Sequence, residues 1–210
     1  MDEHDYRDQR GLATLCIGLL IVQALLAAFG AVSDYWIYAL DEATSLRNGA
    51  ADDARVALVA AVQTLFYFIG GIAILVWLYR ANRNAHLIGT LEMEVSPGWA
   101  VGWFFVPFAN LFMPYRAVSE VWAASGSAVP GAARPPLALL IGWWLCWLGT
   151  NITGLVSMRM GLDHPDDFGV RHAAAGVDMA SNILLVAACL ALAAIVAGIQ
   201  SLQNRAAPTH

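Results

Sequence analysis

The chain has 210 residues, 59% of them apolar and only 13% charged, with a net charge of −5. Soluble domains carry about 25% charged residues, and a water-soluble fold of this length cannot hide so much apolar surface. Every basic residue apart from histidine is an arginine, and the arginines form no patch that would hold a nucleic-acid backbone. The composition therefore argues against a nucleic-acid partner and for a lipid bilayer.

Residues 1–10 read as a short arm, with Asp2, Glu3, Asp5 and Asp8 beside Arg7 and Arg10. The acidic lead, and an apolar run longer than the ~7–15 residues of a signal peptide, predict a retained first span over 11–32. Three further uncharged stretches, 56–79, 137–158 and 180–199, are long enough to cross a ~30 Å hydrocarbon core at ~1.5 Å per residue. In lipid each must satisfy its own backbone as a helix. Residues 33–55 and 159–177 read as polar, Asp-rich outer loops, and the Gly/Ala/Pro-rich stretch 125–136 as a cytoplasmic linker. Residues 11–200 then form a single transmembrane domain, and 201–210 a C-terminal tail. The expected fold is an all-α multi-pass transmembrane bundle.

The stretch 98–115 is different. It is barely long enough to span, and Pro107 and Pro114 interrupt it with Asn110 between them. Each proline removes a backbone donor and clashes with the preceding turn. Beyond it, Tyr115, Val118, Val121 and Trp122 share one helical face while Arg116, Ser119 and Glu120 share the other, the pattern of a helix lying in the membrane interface. The reading is a broken, re-entrant or interfacial segment over 98–124, with a kinked fifth span as the alternative. Four spans with both termini inside would place Arg7, Arg10, Arg80, Arg83, Arg116, Arg134 and Arg205 in the cytoplasm, against Arg47, Arg55, Arg159 and Arg171 outside. That distribution favours four spans and a cytoplasmic N-terminus.

Small residues four apart (Ala24/Ala28, Ala187/Ala191, Ala194/Gly198) and the Gly70–Gly71 pair predict close helix approaches. Trp77 and Tyr79 fall where an aromatic belt would border the cytoplasmic interface, with Trp99 and Trp103 near the same level. Trp143, Trp144 and Trp147 lie well inside a span and are expected to fill space. Cys16, Cys146 and Cys189 all fall in apolar runs, an odd number with no disulfide pattern and no metal-ligand spacing.

The richest polar patch closes the second span: Arg80, Asn82, Arg83, Asn84 and His86. One reading is a simple interfacial exit, with arginines reaching headgroups by snorkelling. The sharper one turns Arg80 and Asn84 inward to donate to the carbonyls freed in the 107–114 break. A clamp joining Glu120 to Arg80 or Arg83 is expected beside it, and Arg116 and Glu120 are themselves four apart. His164, Asp166, Asp167 and His172 match no metal signature and read as a solvated loop. Asp178 reads as a helix-start residue. A lone His86 cannot supply paired haem ligation, and there is no nucleophile elbow, zinc-protease motif, aspartate pair in separate spans or nucleotide loop. No catalytic, cofactor or metal residue is assigned, and no cofactor is expected.

Trp77-x-x-Arg80-Ala81-x-x-Asn84, Ser96-Pro97-Gly98-Trp99, Trp103-Phe104-x-x-Pro107-x-x-Asn110-Leu111-x-x-Pro114 and Glu120-x-Trp122 together resemble the bacterial membrane family catalogued as "domain of unknown function 4328". The resemblance covers most of the chain after the first span. It implies a multi-pass membrane protein of no established activity, usually with a longer Pro- and Gly-rich arm than the short acidic one here. It supplies no substrate. The expected role is a non-enzymatic scaffold or regulatory protein of the bacterial cytoplasmic membrane. Arg80, Asn84, Asn110, Arg116 and Glu120 would hold a motif that is presented to another membrane protein or a lipid headgroup. The alternatives are a small oligomeric transporter or channel using 98–115 and, further off, a lipid-acting enzyme.

Overall fold

The computed structural model describes residues 6–40, 42–163 and 167–207, without the side chains of 42–43 and 45–50. It is all-α, with no strand among the described residues. The helices are α1 (Arg10–Tyr38), α2 (Glu42–Ile88), α3 (Pro97–Gly102), α4 (Met113–Ser127), α5 (Leu137–Asp163) and α6 (Phe168–Ala206). Four of them, α1, α2, α5 and α6, are long and apolar enough to cross a membrane.

Each of these helices outruns the span expected from its uncharged stretch. α2 has 47 residues and α6 has 39. The expected outer loop 33–55 is therefore a correction: its described residues are helical apart from 39 and 40. Polar residues beyond the hydrocarbon do not break a helix, since water and i,i+3 pairs such as Asp52–Arg55 at 3.0 Å satisfy them there. The stretch 159–177 likewise continues α5 and opens α6. Asp178 then sits ten residues inside α6, hydrogen-bonded to Ser157, and does not start a helix.

The segment after α2 does not cross. After α3 come two 3-10 turns, Trp103–Phe105 and Ala109–Leu111, and then α4. The longest piece before α4 has six residues, about 9 Å of helix against a ~30 Å core. The break has a local cause. Pro107 forces Val106 into an extended conformation (φ −92°, ψ 116°), and Phe108 then turns back with φ +64°. The segment thus supplies no fifth helix long enough to span.

The chain packs as two compact units, each taking one stretch from every long helix. The first comprises Met1–Leu20, Ile69–Gly142 and Ala191–His210. Its core holds Trp77, Ala81 and Ala85 on one stripe of α2, Val121 on α4, and Ile195 and Ile199 on α6, all with no exposed surface. α4 buries Pro114, Ala117, Val118, Val121, Ala124 and Ser125, a stripe turned slightly from the expected one. Trp77 is a correction: it is core, and an indole fully surrounded by protein cannot join an aromatic belt. Tyr79 remains 44% exposed, as a belt residue would.

Two glycines in this unit are required by close approach. A Cβ on Gly89 would lie 2.6 Å from the Ala85 carbonyl and 2.9 Å from that of Ala124. One on Gly198 would enter the Trp122 ring. Gly198 therefore receives an indole rather than a helix backbone. The other small pairs are also displaced: Ala24 is buried but Ala28 exposed, Ala187 and Ala194 are exposed, and Ala188 and Ala193 are buried instead. Gly70 meets Leu19, whereas nothing lies against Gly71.

The second unit comprises Ile21–Phe68 and Trp143–Leu190. Trp143 and Trp144 are buried, and Trp144 stacks on Trp147 with ring centres 4.7 Å apart, so the tryptophans fill space as expected. A polar chain crosses this unit. Asn182 donates to Asp34 at 2.8 Å, and Gln63 donates to Asn182 at 3.1 Å and to the Leu26 carbonyl at 3.0 Å. All three cysteines are free thiols.

Candidate functional site

The polar residues singled out in the middle of the chain all fall in the first unit, where they act mostly on backbone. Val95, in the link between α2 and α3, has its carbonyl bound by Asn82 at 3.0 Å and its amide by Glu120 at 3.0 Å. The same Glu120 oxygen accepts the Glu94 amide at 3.2 Å. Its other oxygen takes Arg116 Nε at 3.1 Å, and Arg116 also pairs with Glu94. These carboxylates, Glu120 foremost, hold the guanidinium more firmly protonated than a free arginine. Asn82 is fully buried on α2 and Glu120 lies on α4, so the link is tied to both helices through groups that any residue at 95 would offer. Thr90 adds a backbone bond to Ser127 at 2.9 Å.

Asn84 does something the sequence did not suggest. Its amide donates to the Arg7 carbonyl at 3.0 Å and accepts the Arg7 amide at 3.3 Å, so one side chain pins the N-terminal arm at two points. It does not serve the 107–114 carbonyls. Next to it Gln203, fully buried on α6, donates to the Ala81 carbonyl at 2.8 Å and to Ser125 Oγ at 3.0 Å. Its oxygen accepts from Gln9 at 2.8 Å. Tyr6 completes the arm by donating to the Gln203 carbonyl at 3.4 Å; burial, then Asp8, raises its phenol above the ordinary value. Gln9 and Gln203 were missed. The available signal was a pair of amides closing otherwise apolar helices, which the habit of reading helix ends as solvated conceals.

The other expected members stand apart. Arg80 is half-exposed and forms no hydrogen bond or ion pair with another described residue, so Glu120 finds its cation on its own helix. Asn110 uses its amide for the Val106 carbonyl at 3.0 Å, while its side-chain oxygen is buried without a partner among the described residues. Trp99 and Trp103 stack with centres 4.4 Å apart. Trp99, Phe105, Phe108, Leu111 and Phe112 are all more than half exposed, Phe108 at 82%. Of the polar loop cluster, His164 and Asp166 lie outside the described residues. Asp167 caps the start of α6 through the Val170 amide at 3.0 Å, and His172 stacks on Tyr38. No metal-holding group of three or more such side chains occurs among the described residues.

These contacts make different demands on mutation. Asn84→Ala leaves Arg7's backbone to water, which can reach it. The expected loss is therefore about 1 kcal/mol, confined to the arm. Hydrogen exchange at residues 6–10 should accelerate while the core of α2 stays protected. Arg80→Ala, with no partner among the described residues to lose, should change stability by less than about 0.5 kcal/mol; a clear fall in melting temperature would restore the inward role expected from the sequence.

Four apolar helices, a non-crossing aromatic segment and buried amide clamps define a multi-pass helical membrane protein. The chain belongs to the family described as "Domain of unknown function (DUF4328)", which it matches over residues 40–201. No curated protein and no solved structure matches it. Asn82, Asn84, the broken segment and Glu120 lie within the matched region. The arm that Asn84 holds precedes it, and Gln203 follows it.

Proposed function

We propose that the protein is a non-enzymatic scaffold or regulatory interaction protein of the bacterial cytoplasmic membrane. Its N-terminus is cytoplasmic, and it holds residues 97–127 at the inner interface. The observation that carries this reading is the exposed row Trp99, Phe105, Phe108, Leu111 and Phe112 on a segment too broken to span. Exposed apolar rings beside the paired Arg116, Glu94 and Glu120 charges suit the headgroup level, where acyl chains meet water. The backbone clamps of Asn82 and Glu120 fix that presentation, and the charged side is left for a protein partner.

The test places single cysteines at Phe108 and Ser119 in a background without the native thiols. A membrane-impermeant maleimide added from the cytoplasmic side should label position 119 and spare 108. Equal labelling of both would remove the segment from the interface and the scaffold reading with it. Reporters before Met1 and after His210 should both read cytoplasm.

A second reading, a small oligomeric transporter, draws on other residues. Ionisable side chains inside spans mark pathways by default, and the second unit buries Asp34 against Asn182, whose own oxygen accepts from Gln63. Asn182→Leu removes two hydrogen bonds of about 0.6 kcal/mol each inside a membrane, so a loss of about 1 kcal/mol in stability is expected. If it also abolished a proton or cation flux in liposomes, transport would displace the scaffold.

A further inference from the structure

Between the start of α1 and the end of α6, in the first unit, runs an open groove of about 420 Å³. Its chemistry changes in a fixed order along the two helices. Arg10, the first residue of α1, and Arg205, the last but one of α6, stand at the rim. Thr14, Ser201 and Asn204 supply hydroxyl and amide groups one turn further along, Ile17 and Ala197 form the apolar floor at its far end, and buried Ala13 and Gln200 back the groove. At ~1.5 Å per residue, Arg10 lies about 10 Å above Ile17, and Arg205 about 12 Å above Ala197. The rim is also where the uncharged runs end on both helices, so it marks one membrane boundary.

Among the described residues neither cation has a close ion pair. Arg10 gives its Nε to Asn204 at 3.2 Å and has Asp8 only at 3.8 Å, leaving both terminal nitrogens without a partner among the described residues. Arg205 has no ion pair or hydrogen bond with a described residue. Asn204 is itself steadied by Gln200 at 2.8 Å, so the Arg10 guanidinium is held in place while its fork stays open.

We propose that this groove binds an anionic glycerophospholipid. Arg10 and Arg205 take the phosphate, Thr14 and Ser201 the glycerol and ester level, and Ile17 and Ala197 the first acyl carbons. Cation, hydroxyl and hydrocarbon appear in the order in which a phospholipid presents phosphate, glycerol and chain. Basic grooves between span ends are where anionic headgroups are held in membranes. A free anion would use the rim and leave the floor idle. The site involves none of residues 97–127, so it stands or falls apart from the scaffold reading. Arg10, Asn204 and Arg205 lie outside the family match, whereas Ala197 and Ser201 lie within it.

The experiment uses the full chain in phosphatidylcholine nanodiscs with and without phosphatidylglycerol, reading melting temperature and the lipid retained on extraction. The wild type should melt higher with phosphatidylglycerol and retain it selectively. R10Q/R205Q should retain about tenfold less, as expected for losing charge-assisted bonds to a phosphate. Ala197→Trp, at an exposed position, fills the floor without touching charge and should lose retention as well. Both variants should melt like the wild type in phosphatidylcholine alone. Retention by R10Q/R205Q equal to the wild type would overturn the proposal. So would inorganic phosphate raising the melting temperature in phosphatidylcholine as far as phosphatidylglycerol does, because the ligand would then be a free anion.

Discussion

Gly198→Ala should lower the stability of the solubilised protein by about 1–3 kcal/mol, and Gly198→Leu by more, although alanine and leucine are better helix formers than glycine. The new Cβ would sit 2.8 Å and 2.9 Å from Cζ3 and Cζ2 of Trp122, a rigid indole on α4 that cannot swing aside as a flexible chain would. Combining Gly198→Ala with Trp122→Ala should cost less than the sum of the two single changes, since the clash goes with the ring. Melting temperatures of the four proteins decide it. Strict additivity would mean that Trp122 does not rest on Gly198.

Gln203→Leu is the other large effect. It removes in one step the donor to the Ala81 carbonyl and Ser125 and the acceptor for Gln9, at a residue with no exposed surface. Each buried group left without a partner costs about 1–3 kcal/mol, and the Ala81 carbonyl still has its helical bond, so a total near 3 kcal/mol is expected. The double change Gln9→Leu, Gln203→Leu should recover part of that, because an apolar pair leaves fewer orphaned amides than a lone glutamine. If the double variant is worse than Gln203→Leu alone, the two glutamines do not act as partners.

Residue types and runs were enough for some of this molecule. The four crossings follow from uncharged stretches that lipid can accept only as helices. The break after α2 follows from Pro107 and Pro114, whose missing donors and steric bulk act within one turn. Trp143 and Trp144, deep inside a span, were also expected to fill space, and they do.

What faces what was not. The end of α2 reads in sequence as a row of interfacial polar residues, yet the fold buries Asn82 and Asn84 and leaves Arg80 half-exposed. Glu120 was expected to reach Arg80 or Arg83 and instead holds Val95 and Arg116. The clamp on Arg7 joins residues 77 positions apart, and the Gln9–Gln203 bond joins residues 194 apart. Gly198 was read as a helix contact and is a seat for Trp122. Transfer from water to lipid is a property of each residue and its immediate neighbours, so the chain alone determined which stretches cross. A hydrogen bond or an indole's resting place depends on the rotation of one helix against another, where one residue's shift turns a side chain by about 100°. Only the packed tertiary structure decides that angle.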